Sequence, residues 1–95
     1  MATYYIIHLN IIDWEKMKFF SKSIPATLEP FDGKISFQGE MRESIQGKQQ
    51  TSIIEVFNFP NKIKAKNWYK SAACQALIQR RDESTSMTVV QYGAV

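Results

Sequence analysis

The sequence predicts an α+β domain, an antiparallel four-stranded sheet with two helices on one face. Three observations carry that expectation. Residues 3–12, 34–41, 51–59 and 87–92 are rich in Ile, Val, Phe, Tyr and Thr and are bounded by turn residues, as strands are. Residues 13–23 and 61–81 place apolar side chains at steps of three and four, the period of a helix. The segments follow one another as β-α-β-β-α-β, and right-handed crossovers fold that order into a split βαβ sheet with strand order 4-1-3-2.

The first strand alternates cleanly. Tyr5, Ile7, Leu9 and Ile11 share one face, and Tyr4, Ile6, His8 and Asn10 share the other. The first set should meet the helices. Asp13 is placed to cap the following helix, with Glu15 favourable near its positive end and Ile12 and Met17 at staple spacing. Trp14, Met17, Phe20 and Ile24 give that helix its stripe. Pro25 predicts a stop or kink at Ile24, with at most one further turn to Leu28. Asp32-Gly33 marks the next turn.

In the second strand Ile35, Phe37 and Met41 alternate with Ser36 and Gln38. A polar connection, residues 42–50, leads to the third strand, where Ile53, Glu55 and Phe57 share a face opposite Ile54, Val56 and Asn58. No helix separates these two strands, so they predict a hairpin. Pro60 ends the third strand and Asn61 is placed to cap the second helix. Ala65, Trp68, Tyr69, Ala72, Ala73, Ala76 and Leu77 form its stripe, with a break expected near Ser71. Residues 82–86 read as a turn before the last strand.

The arrangement is the ferredoxin-like fold, over a single domain of residues 1–95. A chain of 95 residues buries only about two-thirds of its unfolded surface, so association would help it. The sheet face away from the helices is expected to carry Tyr4, Ile6, Ile53 and Phe57, too apolar to remain wet. A second copy covering it would make a symmetric homodimer.

Composition excludes several classes. A 13% aromatic content argues against disorder. No apolar run approaches the ~18 residues of a membrane span. The opening residues lack the basic-then-apolar pattern of a secretory signal. The single cysteine, Cys74, forms no internal disulfide or multi-cysteine zinc site, which suits a cytoplasmic setting. Net charge is +3, but residues 61–81 hold Lys62, Lys64, Lys66, Lys70, Arg80 and Arg81 without an acid, leaving the remainder at −3. The stretch suits an acidic partner or the solvated face of a helix. No base-stacking motif accompanies it, so nucleic acid is not expected as a partner. With one histidine and no pair of strong ligands at helical spacing, neither a structural metal nor a tightly bound cofactor is expected.

The chain also resembles a known family along nearly its whole length. The carrying residues are Tyr4-Tyr5-Ile6-Ile7 running into Asp13, then Phe31-Asp32-Gly33-Lys34 with Gly39, and Ile45-Gln46-Gly47. The clearest stretch is Phe59-Pro60-Asn61, Ala65, Trp68-Tyr69-Lys70-Ser71, Gln75-Ala76-Leu77 and Arg80 or Arg81. These are similar to the domain-of-unknown-function family thirteen-thirty, within the dimeric α+β barrel superfamily. Three positions depart from that family's usual residues. Asn58 stands for Glu, Cys74 for Tyr, and Lys34 for a second Gly. The resemblance implies a homodimer whose sheets form a barrel, with a pocket between each sheet and its helices. It implies no known reaction. In oxygenases of the wider superfamily a Trp and an Asn line that pocket, and Trp68 and Asn10 occupy similar places. Haem-degrading members need a later histidine, and none follows His8.

The expected function is therefore that of a homodimer which binds a small organic metabolite, carboxylate-bearing ones included, or converts it without a cofactor. A non-catalytic interaction dimer using the basic second helix is the alternative. His8 and Glu55 are the candidate proton-transfer pair. Asn10, Trp14, Phe37, Asn58, Trp68, Tyr69, Arg80 and Arg81 are the candidate ligand contacts, with Leu9 and Ile11 completing the expected pocket. Arginine is suited to a carboxylate because its planar fork binds both oxygens. The competing role for Trp68 and Tyr69 is core packing, and for Cys74 it is burial without reactivity.

Overall fold

The computed structural model describes residues 2–11, 14–82 and 85–93, without the side chains at 11, 14, 16, 17, 20, 80–82, 85 and 86. Residues 12 and 13, with the expected cap and staple, lie outside the description. The elements are β1 (Thr3–Ile11), α1 (Trp14–Leu28), β2 (Lys34–Glu40), β3 (Ile53–Phe59), α2 (Lys62–Lys70), α3 (Ala72–Asp82) and β4 (Thr85–Gly93). The strands form one antiparallel sheet in the order β2-β3-β1-β4, as the element order predicts. No described helix is long and apolar enough to cross a membrane.

The core lies between the sheet and the helices. Tyr5, Ile7 and Leu9 of β1 and Phe57 and Phe59 of β3 face inward against Ile24, Leu28, Ala65, Trp68 and Cys74. Trp68 anchors it. Its ring lies 5.6 Å from that of Phe57 and 5.5 Å from that of Phe59, and its indole N–H donates to Thr27 Oγ1 at 3.0 Å.

α1 runs through Pro25 to Leu28 rather than breaking at Ile24. Ile24 and Leu28 are both fully buried, and one continuous helix is what brings them to the same face. After a short 3-10 turn at Glu29–Phe31, Asp32 adopts a left-handed conformation at φ 55°. Gly33 follows because no side chain fits there. A Cβ would lie 2.5 Å from a carbon of the Phe59 ring.

The second helix divides at Ser71, as expected. Ser71 is extended, and its hydroxyl donates to Trp68 O at 2.7 Å while accepting from Cys74 N at 3.2 Å. One side chain thus closes α2 and opens α3. Asn61 caps α2 by accepting from Lys64 N at 2.9 Å. β4 begins at Thr85, two residues before the expected start.

Two expectations about the sheet are corrected. First, Ile53 and Phe57 face the helices, not the open side. Phe57 pairs with Tyr5 and Ile53 with Leu9, so β3 presents Ile54, Val56 and Asn58 outward. Second, Phe37 does not follow Ile35. The register slips between them, so Ile35 pairs with Phe57 on the inner face while Phe37 pairs with Val56 on the outer one. Phe37 is 56% exposed, its ring lying over Gly39.

Candidate functional site

The pairing register lays out the open face as rows across β2, β3, β1 and β4. One row is Phe37, Val56, Ile6 and Val90, entirely apolar. The next is Gly39, Ile54, His8 and Thr88, and beyond the first lies Lys34, Asn58, Tyr4 and Tyr92. His8 therefore sits near the middle of an uncovered face.

The expected His8–Glu55 pair is not made. His8 pairs across the ladder with Ile54 and projects outward, whereas Glu55 pairs with Ile7 and projects inward. The two groups are separated by the sheet. Glu55 is 1% exposed, and its carboxylate accepts from Gln38 Nε2 at 2.7 Å. That partner was missed in the sequence because the β2 bulge is what turns Gln38 inward.

Asn10 is committed to the backbone. Its side-chain oxygen accepts from Ser52 N at 3.0 Å and from Ser52 Oγ at 3.3 Å, and its amide donates to Gln50 O at 3.1 Å. It pins the chain leading into β3. Asn58 lies on the open face between Tyr4 and Lys34. Trp14 opens α1, and Arg80 and Arg81 lie in the last turn of α3; their side chains are outside the description. Arg42 is held at the surface by Glu40, 3.2 Å away.

Between the sheet and α3 runs a narrow apolar recess. Ile7 and Val89 of the sheet, Ile24 of α1, Trp68 and Tyr69 of α2 and Leu77 of α3 are among the residues that line it. Its cavity volume is about 10 Å³, room for about one water. Of the residues expected to line a pocket, Trp68 and Tyr69 do so. Leu9 is sealed into the core and Phe37 is on the opposite side of the sheet. Tyr69 is the most exposed of the lining residues, at 38%. The Tyr5 hydroxyl is pushed above its usual range of 10.0 by burial, and further by Tyr69 and Cys74. Among the described residues no cluster of His, Cys, Asp and Glu could hold a metal.

An antiparallel sheet ordered β2-β3-β1-β4 with its helices on one face defines a ferredoxin-like α+β protein. The family described as Domain of unknown function (DUF1330) matches residues 2–93, and the chain belongs to it. No curated protein matches it in sequence. Among solved structures, a protein of unknown function from Rhodopseudomonas palustris is similar with a TM-score of 0.83 at 9% identity, covering 99% of this chain and 82% of that one. A dimeric ferredoxin-like protein of unknown function from Thermobifida fusca has a TM-score of 0.71 at 10% identity, covering 99% and 92%. SnoaB, a cofactor-independent oxygenase from Streptomyces nogalater, has a TM-score of 0.73 at 6% identity, covering 99% and 93%. At these identities the likeness is one of fold.

Proposed function

We propose that the protein works as a homodimer assembled sheet against sheet, and that each protomer takes a small organic molecule into the recess beneath α3. The observation that carries the assembly is the open face. Its central row is wholly apolar, with Tyr4, Ile54 and Tyr92 adjoining, and monomers rarely leave such a surface wet. Strands about 4.8 Å apart and about seven residues long cover roughly 20 by 23 Å, so two copies bury about 900 Å² by the sheet alone, the small end of specific interfaces. The similarly folded Thermobifida fusca protein, which is dimeric, supports association into a dimer. The ligand half rests on the recess, whose lining is apolar with tyrosines beside it. At about 10 Å³ it admits more than a water only when Tyr69 and α3 give way.

A second reading has its own observation. Lys62, Lys66 and Lys70 recur every four residues along α2, all exposed, with no ion pair among the described residues, while Lys64 turns to Asp32. That stripe suits an acidic partner of a non-catalytic dimer.

Native mass spectrometry on protein purified from its source separates the readings. A dimer carrying a small-molecule adduct supports the proposal. A dimer without one, together with capture of an acidic partner that salt releases, favours the second reading. A monomer overturns both.

A further inference from the structure

The open face of the sheet carries the chain's single histidine. His8 lies in its row between Ile54 and Thr88, with Ile6 of the apolar row two residues before it on the same face. Histidine takes up its proton between about pH 8 and 5. The acids that the strands carry are Glu40 and Glu55, and both take inward register positions, opposite Ile53 and Ile7. The other titratable groups in the rows of the open face are Tyr4, Tyr92 and Lys34. Arg42, Glu43 and Lys48 are exposed in the connection that leaves β2, and Arg42 turns to Glu40. Asp13 and Glu83 fall in sequence beyond the last ladder pair of β1 and β4, Ile11 with Thr85. His8 is thus set among aliphatic and hydroxyl side chains, in rows that hold a cation but no acid.

We infer that His8 makes the sheet-to-sheet dimer pH-sensitive, the second copy being held at neutral pH and above and released as the imidazole gains its proton. This rests on the assembly half of the proposed function and adds its regulation. A neutral imidazole can be covered beside Ile6 and Ile54 at little cost. A charged one loses its water and meets no acid of the strands, and covering an unpaired charge is expensive. Lys34 is a cation throughout this range, so it repels rather than compensates. A second copy brings the same groups again, because a two-fold interface sets one surface against itself. Proton uptake is therefore easier in the separated copies than in the dimer, and association strengthens as pH rises. The effect counts twice per dimer, and an interface of about 900 Å² has little surplus to absorb it.

The dimer dissociation constant of the intact chain, measured by fluorescence-detected sedimentation at fixed ionic strength, tests this at about pH 8 and about pH 5.5. In wild type it should rise by more than about tenfold at the lower pH, since two histidines contribute. His8→Gln keeps a polar but neutral side chain, and its constant should stay within about twofold across the same range. His8→Arg carries a permanent cation and should dimerise weakly at both pH values. Near-ultraviolet circular dichroism of the Trp68 cluster checks that each variant is folded, as an outward side chain allows. An equal rise in wild type and His8→Gln assigns the pH dependence to other groups and overturns the role of His8. A wild-type constant that does not change overturns the inference and leaves the dimer standing, as does a His8→Arg variant that dimerises as tightly as wild type at the higher pH. A wild type that is monomeric even at the higher pH overturns the assembly itself, and the inference with it.

Discussion

Tyr5 ties the stability of the core to pH through one proton. Its hydroxyl is held above its usual range first by burial, then by Tyr69 and Cys74. The native state therefore keeps that proton at pH values where the unfolded chain has released it. Stability is unaffected well below the unfolded value near 10.0 and falls as pH rises past it. Tyr5→Phe should remove this contribution. The urea midpoints of wild type and variant, compared at about pH 8 and about pH 11, should show the larger alkaline loss in wild type. Equal losses would mean the phenol titrates alike in both states. His8 and Glu55 show how position overrides type at this scale. Each suits proton transfer, but a sheet lies between them, so neither can serve the other.

Helix continuity is decided at the scale of elements, and α1 and the α2–α3 pair decide it differently. α1 tolerates Pro25 because Ile24 and Leu28 must both be buried, at the cost of a hydrogen bond to the preceding turn. Pro25→Ala should restore that bond. The gain should be about 1–3 kcal/mol, since the ~3 kcal/mol helical penalty of proline is partly offset by the freer unfolded chain. Urea unfolding at neutral pH measures it, and a destabilised variant would show that the proline ring itself supports the native helix. Ser71 marks a true break. Its hydroxyl serves both Trp68 O and Cys74 N, so Ser71→Ala should cost about 1–2 kcal/mol, with faster amide exchange at Cys74. Loss of stability without faster exchange there would place the cost elsewhere.

At the scale of the molecule, the two sheet faces have different work. The inner face is closed by helices and completes a core, while the outer face presents its apolar row to whatever covers it. Val56→Lys places a charge in that row without touching the inner core. Light scattering should then report a monomer mass, and the dependence of melting temperature on protein concentration expected of wild type should vanish. Near-ultraviolet circular dichroism should show the Trp68 cluster intact. A Val56→Lys variant that remains dimeric would place the interface on another surface.

Much of this architecture is written in local pattern. The alternation of β1, the Ala65 and Trp68 positions of α2, the Asn61 cap, the Ser71 break and the Asp32-Gly33 turn all depend on near neighbours in sequence, so the sequence alone determined them and, through their order, the fold. Beyond Ser71 the expected stripe fails, because the break resets the helical phase and leaves Ala72, Ala73 and Ala76 exposed while Cys74 is buried. It also placed His8 with Tyr4, Ile6 and Asn10 on one face. Three features came only with tertiary structure. The outward face of β3 was illegible because Ile53, Ile54, Val56 and Phe57 make both faces apolar, and only pairing with β1 selects between them. Inserting one residue between Ile35 and Phe37 moved Phe37 out and Gln38 in, giving Glu55 its partner. The recess was placed by the packing of α3 against β4, where Leu9 itself is sealed in the core while its pairing partner Met87 reaches the recess. Periodicity is a property of one segment, whereas register and packing belong to two, and it is the second kind of information that locates the site.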